Sequence, residues 1–324
     1  MTSMKILSPG PLSTVQDEGR FGYMSTGFSP SGAMDSHSMK LANLLVGNLP
    51  GEGVIEMTML GMQLQFDGDA VIAATGADMC PTLNGLEMPM YEAVAVHAGD
   101  VVRFGVAQKG MRTYLAVAGG FDLPLIMGSL STNLKCALGG FRGRKLQTGD
   151  VLPLRQSLTL QLLGKRKLEP ENDYPKTVTV RVMLGPQEDY FTDQGIATFL
   201  GSRYTVSGQS DRMGVRLEGN KIENKNGVDI ISDGIATGAV QIPASGTPII
   251  MMADRQTTGG YAKIATVISP DLPKLAQAAP GTGVRFVAVT EKEAVRLKKQ
   301  EENTLKQLAY SFLSAQWRDE NGLF

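Results

Sequence analysis

The sequence predicts a mainly β protein with a few helices, divided between two domains, and three observations carry that prediction. Glycine supplies 38 of 324 residues, well above the usual share of about 7%, so turns are frequent. Short apolar runs alternate with polar residues between those turns, as in Met62-Gln63-Leu64-Gln65-Phe66, the period of a half-buried strand. The same glycine-bearing turn also enters a strand in both halves: Gln147-Thr148-Gly149-Asp150 precedes Val151-Leu152, and Pro280-Gly281-Thr282-Gly283 precedes Val284-Arg285-Phe286-Val287. A length of 324 residues exceeds a usual single domain. The charged, proline-bearing stretch 163–177 is the natural boundary, giving domains 1–170 and 171–324.

In chain order, Gly10-Pro11 ends a short apolar opening, and a polar loop follows in which Thr14, Gln16, Asp17, Glu18 and Arg20 sit among Gly19, Gly22 and Gly27. Residues 35–45 have helical spacing, with Ser31 or Asp35 available as cap and Gly47-Asn48 as stop. Strands are expected at 54–59, 62–66, 70–74, 93–97, 101–106 and 111–117. Residues 127–144 carry little periodicity and much Gly, Ser and Thr. They read as a long functional or lid-like loop, or a surface crossover, with one helical turn near 133–138. In the second half, strands are expected at 178–184, 204–206, 215–217, 239–242 and 249–252, with helices at 188–199, 270–278 and 291–317.

Composition excludes several classes. Hydrophobic residues make up 42% and charged residues 19%, which is not a disordered or fibrous chain. A net charge of −1 gives no global attraction to nucleic acid or to an anionic membrane. The basic run Gly164-Lys165-Arg166-Lys167 lies beside acidic residues and reads as solvated linker. Cys80 and Cys136 form no CxxC pair and are expected to be buried, reduced thiols. The opening residues show no basic segment leading into a long apolar run, so a cytoplasmic location is expected, with no membrane and no nucleic acid as partner.

Two histidines, His37 and His97, allow neither a His-rich metal site nor HExxH, and no metal is expected. His97 reads as structural; His37, on the opening helix, keeps a chance of touching a ligand. No Walker A string or glycine fingerprint exists, so an ATP site cannot be placed in this chain. The polar clusters that remain are Ser207–Gly219, with Asp211, Arg212 and Arg216, and the run Asp254-Arg255-Gln256-Thr257-Thr258-Gly259-Gly260-Tyr261. The second follows the apolar strand Ile249–Ala253. A strand emptying into a polar, glycine-rich loop fixes that loop while letting its backbone approach a ligand. A tight hairpin with a solvated tip would need only the glycines. In the opening loop, Asp17 and Arg20 taken singly read as a local ion pair.

The whole string is more specific. TVQDEGRFGY, then SGAMD, then LANLLVGN resembles the opening of the Kip A type biotin-dependent carboxyltransferase A/B family, which includes the C subunit of 5-oxoprolinase and the matching half of the urea carboxylase carboxyltransferase domain. The resemblance runs from Leu7 to about Phe286 and is strong again in the two polar clusters. It implies two cyclophilin-like β-barrel domains, partnership with a Kip I type (C/D) subunit and a LamB/YcsF type subunit, and a crevice shared between domains. It also implies the ATP-dependent opening of 5-oxo-L-proline to L-glutamate, with ATP used by the complex. With no biotin attachment sequence in this stretch, the chain looks more like the oxoprolinase subunit than the fused carboxyltransferase.

Three readings follow. In the first, an oxoprolinase subunit inactive alone, Asp254, Arg212 and Asp17 are the catalytic candidates, and Arg20, Asp211, Gln256, Thr257 and Tyr261 the substrate-binding ones. In the second, a biotin-dependent carboxyltransferase half, the same loops hold urea or a similar amide. In the third, the chain is a non-catalytic regulator that binds a Kip I type kinase inhibitor. Asp17 and Arg20 are expected to face Asp211, Arg212 and Asp254, in a hetero-oligomer with two copies of each chain.

Overall fold

The computed structural model describes residues 2–155, 166–171, 173–225, 227 and 229–312. The chain divides into two compact units: Met1–Arg20 with Asp35–Asp173 and Glu302–Phe324, and Phe21–Met34 with Tyr174–Glu301. Strands dominate both, and the described residues include four α-helices.

The first unit holds β1 (Ser3–Ser8), β2 (Ser13–Gln16), helix α1 (Ser36–Leu45), β3 (Val54–Thr58), β4 (Gln63–Phe66), β5 (Ala70–Asp78), β6 (Thr82–Leu83), β7 (Leu86–Glu87), β8 (Val94–Val96), β9 (Val101–Arg103), β10 (Lys109–Val117) and β11 (Val151–Pro153). They form a six-stranded sheet, β11-β1-β4-β9-β6-β7, and a five-stranded sheet, β2-β3-β10-β5-β8. Inward residues Met4, Ile6, Leu64, Phe66, Ile72, Val102, Leu115 and Val117 build one core. Strand β4 alternates buried Leu64 and Phe66 with half-buried Gln63 and Gln65, as a one-sided strand must. Strand β5 is buried along nearly its whole length because α1 packs against it and β10, which explains its near-continuous apolar sequence. Asp35 starts α1: its Oδ1 accepts from the Ser38 backbone N–H at 2.9 Å, and its Oδ2 from the Ser38 hydroxyl at 2.7 Å.

In the second unit, β12 (Thr177–Leu184), β13 (Tyr204–Val206), β14 (Gly214–Glu218), β16 (Ala239–Gln241), β17 (Ile249–Met251), β19 (Lys263–Val267) and β20 (Gly283–Ala288) close a seven-stranded barrel in the order β12-β19-β16-β17-β14-β13-β20. Closure leaves these strands no open edge. The pairing is antiparallel except between β12 and β20, where Thr177–Val182 runs parallel to Gly283–Ala288. Val180, Val215, Val240, Ile250, Ile264 and Val284 fill the core. Phe286 stacks on Phe199 of helix α2 (Asp193–Gly201) with ring centroids 4.3 Å apart. Outside the barrel, β15 (Asp229–Gly234) and β18 (Thr258–Tyr261) pair as a two-stranded ribbon. Helix α3 (Leu272–Ala276) is short, and α4 runs Glu291–Phe312. The expected continuation of α4 to Trp317 lies outside the described residues, as does the start of the basic run at Gly164-Lys165.

Several expectations are corrected. Cys80 and Cys136 are free but exposed, not buried; Cys80 lies outside the strands, in the connection between β5 and β6, with φ 45°. The helix expected at 188–199 is a 3-10 turn, Glu188–Tyr190, followed by α2, because the Thr192 hydroxyl accepts from the Gly195 N–H at 2.9 Å and starts a new helix there. Residues 133–138 form no helical turn; Asn133 and Leu138 pair as an isolated bridge.

Candidate functional site

Asp17 and Arg20 belong to the first unit, where both turn inward. The Asp17 carboxylate accepts from the Ser129 hydroxyl at 2.7 Å, the Leu130 N–H at 2.6 Å and the Gly19 N–H at 2.8 Å, and also from the Ser131 hydroxyl. The Arg20 side chain, 1% exposed, donates to the carbonyls of Ile126 at 3.0 Å and Ser131 at 2.8 Å. Between them they anchor the start of the 127–144 segment. Ser129, Ser131 and Thr132 are fully buried, so this part is a fixed wall rather than a lid. Gly139, at φ 68°, lets the returning chain close on it: a Cβ there would stand 2.1 Å from the Ser131 carbonyl oxygen. Beside this wall lies a cavity of about 510 Å³ lined by Asp17, Glu18, Glu52, Asp122, Leu130 and Arg155. His37 is held by Glu171 at 2.8 Å, and His97 by Asp69 at 3.1 Å.

Asp211, Arg212, Asp254, Gln256, Thr257 and Tyr261 belong to the second unit. Arg212 grips Asp254 through Nε at 2.8 Å and Nη2 at 3.3 Å, and Nη2 also donates to the Gly32 carbonyl at 2.6 Å. Their side chains are 5% and 10% exposed. The backbone joins them too, since the Asp254 N–H donates to the Arg212 carbonyl at 2.9 Å. Asp211 caps its own turn by accepting from the N–H groups of Met213 and Gly214 at 2.8 and 3.1 Å. Gln256 and Thr257 are half-buried, and Tyr261 is 40% exposed on β18.

Four further side chains gather around β18 that sequence reading passed over: Gln241, Lys263, Asp233 and Arg255. A Cβ on Gly259 would stand 2.7 Å from Ile235 Cδ1, 3.0 Å from Gln241 Nε2 and 3.5 Å from Gln256 Nε2, so two amides converge on that glycine. Lys263, 2% exposed, donates to Asp233 Oδ2 at 3.1 Å, and that hydrogen bond holds the Asp233 carboxyl below its usual range. Arg255, 3% exposed, donates through Nε to the Ile235 carbonyl at 2.8 Å; burial pushes its guanidinium down to about 10. The available signal was a lone polar residue ending or opening an apolar strand, as in Ala239-Val240-Gln241-Ile242 and Lys263-Ile264-Ala265. Amide, cationic and carboxylate side chains thus stand together along β18 and its neighbours. Cys80 is a poor nucleophile by comparison, because desolvation and then the Asp78 charge push its thiol up.

The pattern of the carboxyltransferase domain, subdomain A and B, matches residues 26–288. This chain belongs to that family. The match covers every β18 residue just described and starts after Asp17 and Arg20. Among relatives of this carboxyltransferase A and B chain, the C subunit of 5-oxoprolinase from Escherichia coli is 37% identical over 309 residues, which is 95% of this chain and 98% of that protein. The Haemophilus influenzae protein of the same name is 37% identical, over 94% of this chain and 96% of its own length. The crystal structure of the K. lactis urea amidolyase superposes with a TM-score of 0.87 at 32% identity, covering 94% of this chain and 20% of that one. Among the described residues no helix is long and apolar enough to cross a membrane.

Proposed function

We propose that this chain is the C subunit of a cytoplasmic, ATP-dependent 5-oxoprolinase that opens 5-oxo-L-proline to L-glutamate with a Kip I type subunit and a LamB/YcsF type subunit, and is inactive alone. The observation that carries the reading is the match to two proteins named as the C subunit of 5-oxoprolinase, at 37% identity and over nearly their whole length. Opening the lactam breaks the ring C–N bond and adds the elements of water, giving a new carboxylate and a free amine, while the complex hydrolyses ATP to ADP and phosphate. The substrate thus carries a carboxylate and a secondary amide, and the amide and charged side chains along β18 would receive them. Gln256, Thr257 and Tyr261 would hold the amide. Arg212 and Asp254, bound to each other, hold the strand-to-loop junction in place, and Asp17 and Arg20 do the same for the first unit's wall.

The urea amidolyase likeness supports a second reading, a carboxyltransferase half acting on urea or a similar amide, with lower identity and 20% of that chain covered. Supplying the co-expressed complex with ATP and either 5-oxo-L-proline or urea separates the two. Glutamate release from the first substrate supports the oxoprolinase; consumption of urea that requires biotin and bicarbonate supports the other.

A further inference from the structure

The charged side chains that the second unit buries do not balance. Its buried charged residues among those described are Arg212, Arg255, Lys263 and Asp271. Asp271 is matched by Arg181 at 2.6 Å and Lys274 at 2.7 Å. Arg212 has Asp254, and Lys263 has Asp233. Arg255 has no carboxylate partner among the described residues. A buried charge is normally paired or bound to a ligand, because leaving it without a counter-charge in a poorly solvated place is costly.

The acceptors that Arg255 does have are weak for a guanidinium. Nε reaches the Ile235 carbonyl at 2.8 Å, a good bond. Nη1 reaches the Met252 carbonyl only at 3.4 Å, and Nη2 meets the Met24 thioether sulfur at 3.8 Å. A thioether is a poor acceptor, and a guanidinium carries five N–H donors in a planar fork. The edge bearing Nη1 and Nη2 is therefore under-used. Even lowered to about 10, the group keeps its charge at neutral pH.

The cover over that edge is thin. Met24 belongs to a 3-10 turn, Met24–Thr26, with no buried residue, flanked by Gly22 at φ 91° and Gly27 at φ 87°. Phe21 and Tyr23 beside it are 68% and 37% exposed. One half-buried, unbranched side chain thus separates Nη2 from an exposed turn, and Met has three rotatable bonds with which to move aside.

We propose that Arg255 is the receiving group of an anion-binding site in the second unit, taking a carboxylate or a phosphate group in a bidentate grip once the Met24 thioether swings away. The site goes beyond the oxoprolinase reading and does not depend on it, since it rests on the charge and contacts of this unit alone. Both ligand classes present two coplanar oxygens that match the guanidinium fork.

The test is calorimetric titration of the full chain, without partners, with sodium acetate and separately with inorganic phosphate in a low-salt zwitterionic buffer, together with melting curves. Saturable one-to-one binding of at least one probe is expected, and the tighter probe names the class. Arg255→Met is expected to weaken it by at least about tenfold, the usual scale for a lost charged bidentate contact. Melting curves of Arg255→Met and the parent in anion-free buffer establish whether the variant is folded. Absence of saturable binding to either probe overturns the proposal, and so does parental affinity in Arg255→Met. Should Arg255→Met fail to fold, Arg255→Lys decides: it keeps the charge and loses the fork, and unchanged affinity for the tighter probe overturns the proposal.

Discussion

Arg212 and Asp254 are joined twice, side chain to side chain at 2.8 Å and backbone to backbone at 2.9 Å, so the end of β17 and the turn before β14 form one unit. The second contact sets the register of the first. The loop carrying Arg255, Gln256 and Thr257 leaves directly from this junction, and its geometry inherits the rigidity of the pair.

Asp254→Asn keeps the shape but removes the charge that Arg212 needs. Loss of one partner of a buried pair leaves the other uncompensated, so destabilisation of about 3–5 kcal/mol is expected, less any relief by water. Urea denaturation of Asp254→Asn, Arg212→Met and the double variant checks this. A double variant more stable than either single one identifies the pair as the cause; strictly additive losses contradict it.

Asp17→Asn should loosen the first unit's wall. The carboxylate accepts from the hydroxyls of Ser129 and Ser131 and the N–H groups of Leu130 and Gly19. Hydrogen bonds to a charged acceptor are worth about 1.5–3 kcal/mol each before compensation, so a loss of roughly 2–3 kcal/mol is expected. Amide exchange at Leu130 and Ser131 should accelerate more than exchange in the barrel of the second unit. Uniform acceleration across both would point to global destabilisation instead.

Acid should weaken the second unit through Asp271. Burial raises the Asp271 carboxyl, but hydrogen bonds from Arg181 and Lys274 outweigh it, leaving the folded value below 3.8. A depressed carboxyl contributes stability that is fully present above the unfolded value and lost as pH falls through the folded one. Melting temperature should therefore fall on acidification below about pH 4, and Asp271→Asn should be less stable at neutral pH and show a shallower fall in that acid window. An unchanged acid limb in the variant would assign the loss to other carboxylates.

Much of the fold was legible because the local signals agreed. Asp35 sits where an N-cap belongs, the Gly149-Asp150 turn enters β11, and Met62–Phe66 alternates, so periodicity and turn chemistry pointed the same way. The site was legible only in part. In Asp254–Thr257 every residue is polar, and nothing local distinguishes Arg255 from its neighbours. Its burial is decided by Ile235 and by Met24, 231 positions away. Cys80 is exposed because it falls in the connection between β5 and β6, a position its own side-chain chemistry does not reveal. Asp17 and Arg20 stand out in the sequence as polar residues in a glycine-rich loop, but their partners at 126–131 are more than a hundred positions away.

Omission of this chain from the reconstituted complex is the decisive experiment. ATP hydrolysis and glutamate release would be measured on 5-oxo-L-proline with this chain, a Kip I type subunit and a LamB/YcsF type subunit, and again with each left out. Coupled turnover is expected only when all three are present, and none from this chain alone. Undiminished 5-oxoproline turnover without this chain, or a complete complex inert toward 5-oxoproline yet active on urea with biotin and bicarbonate, would contradict it.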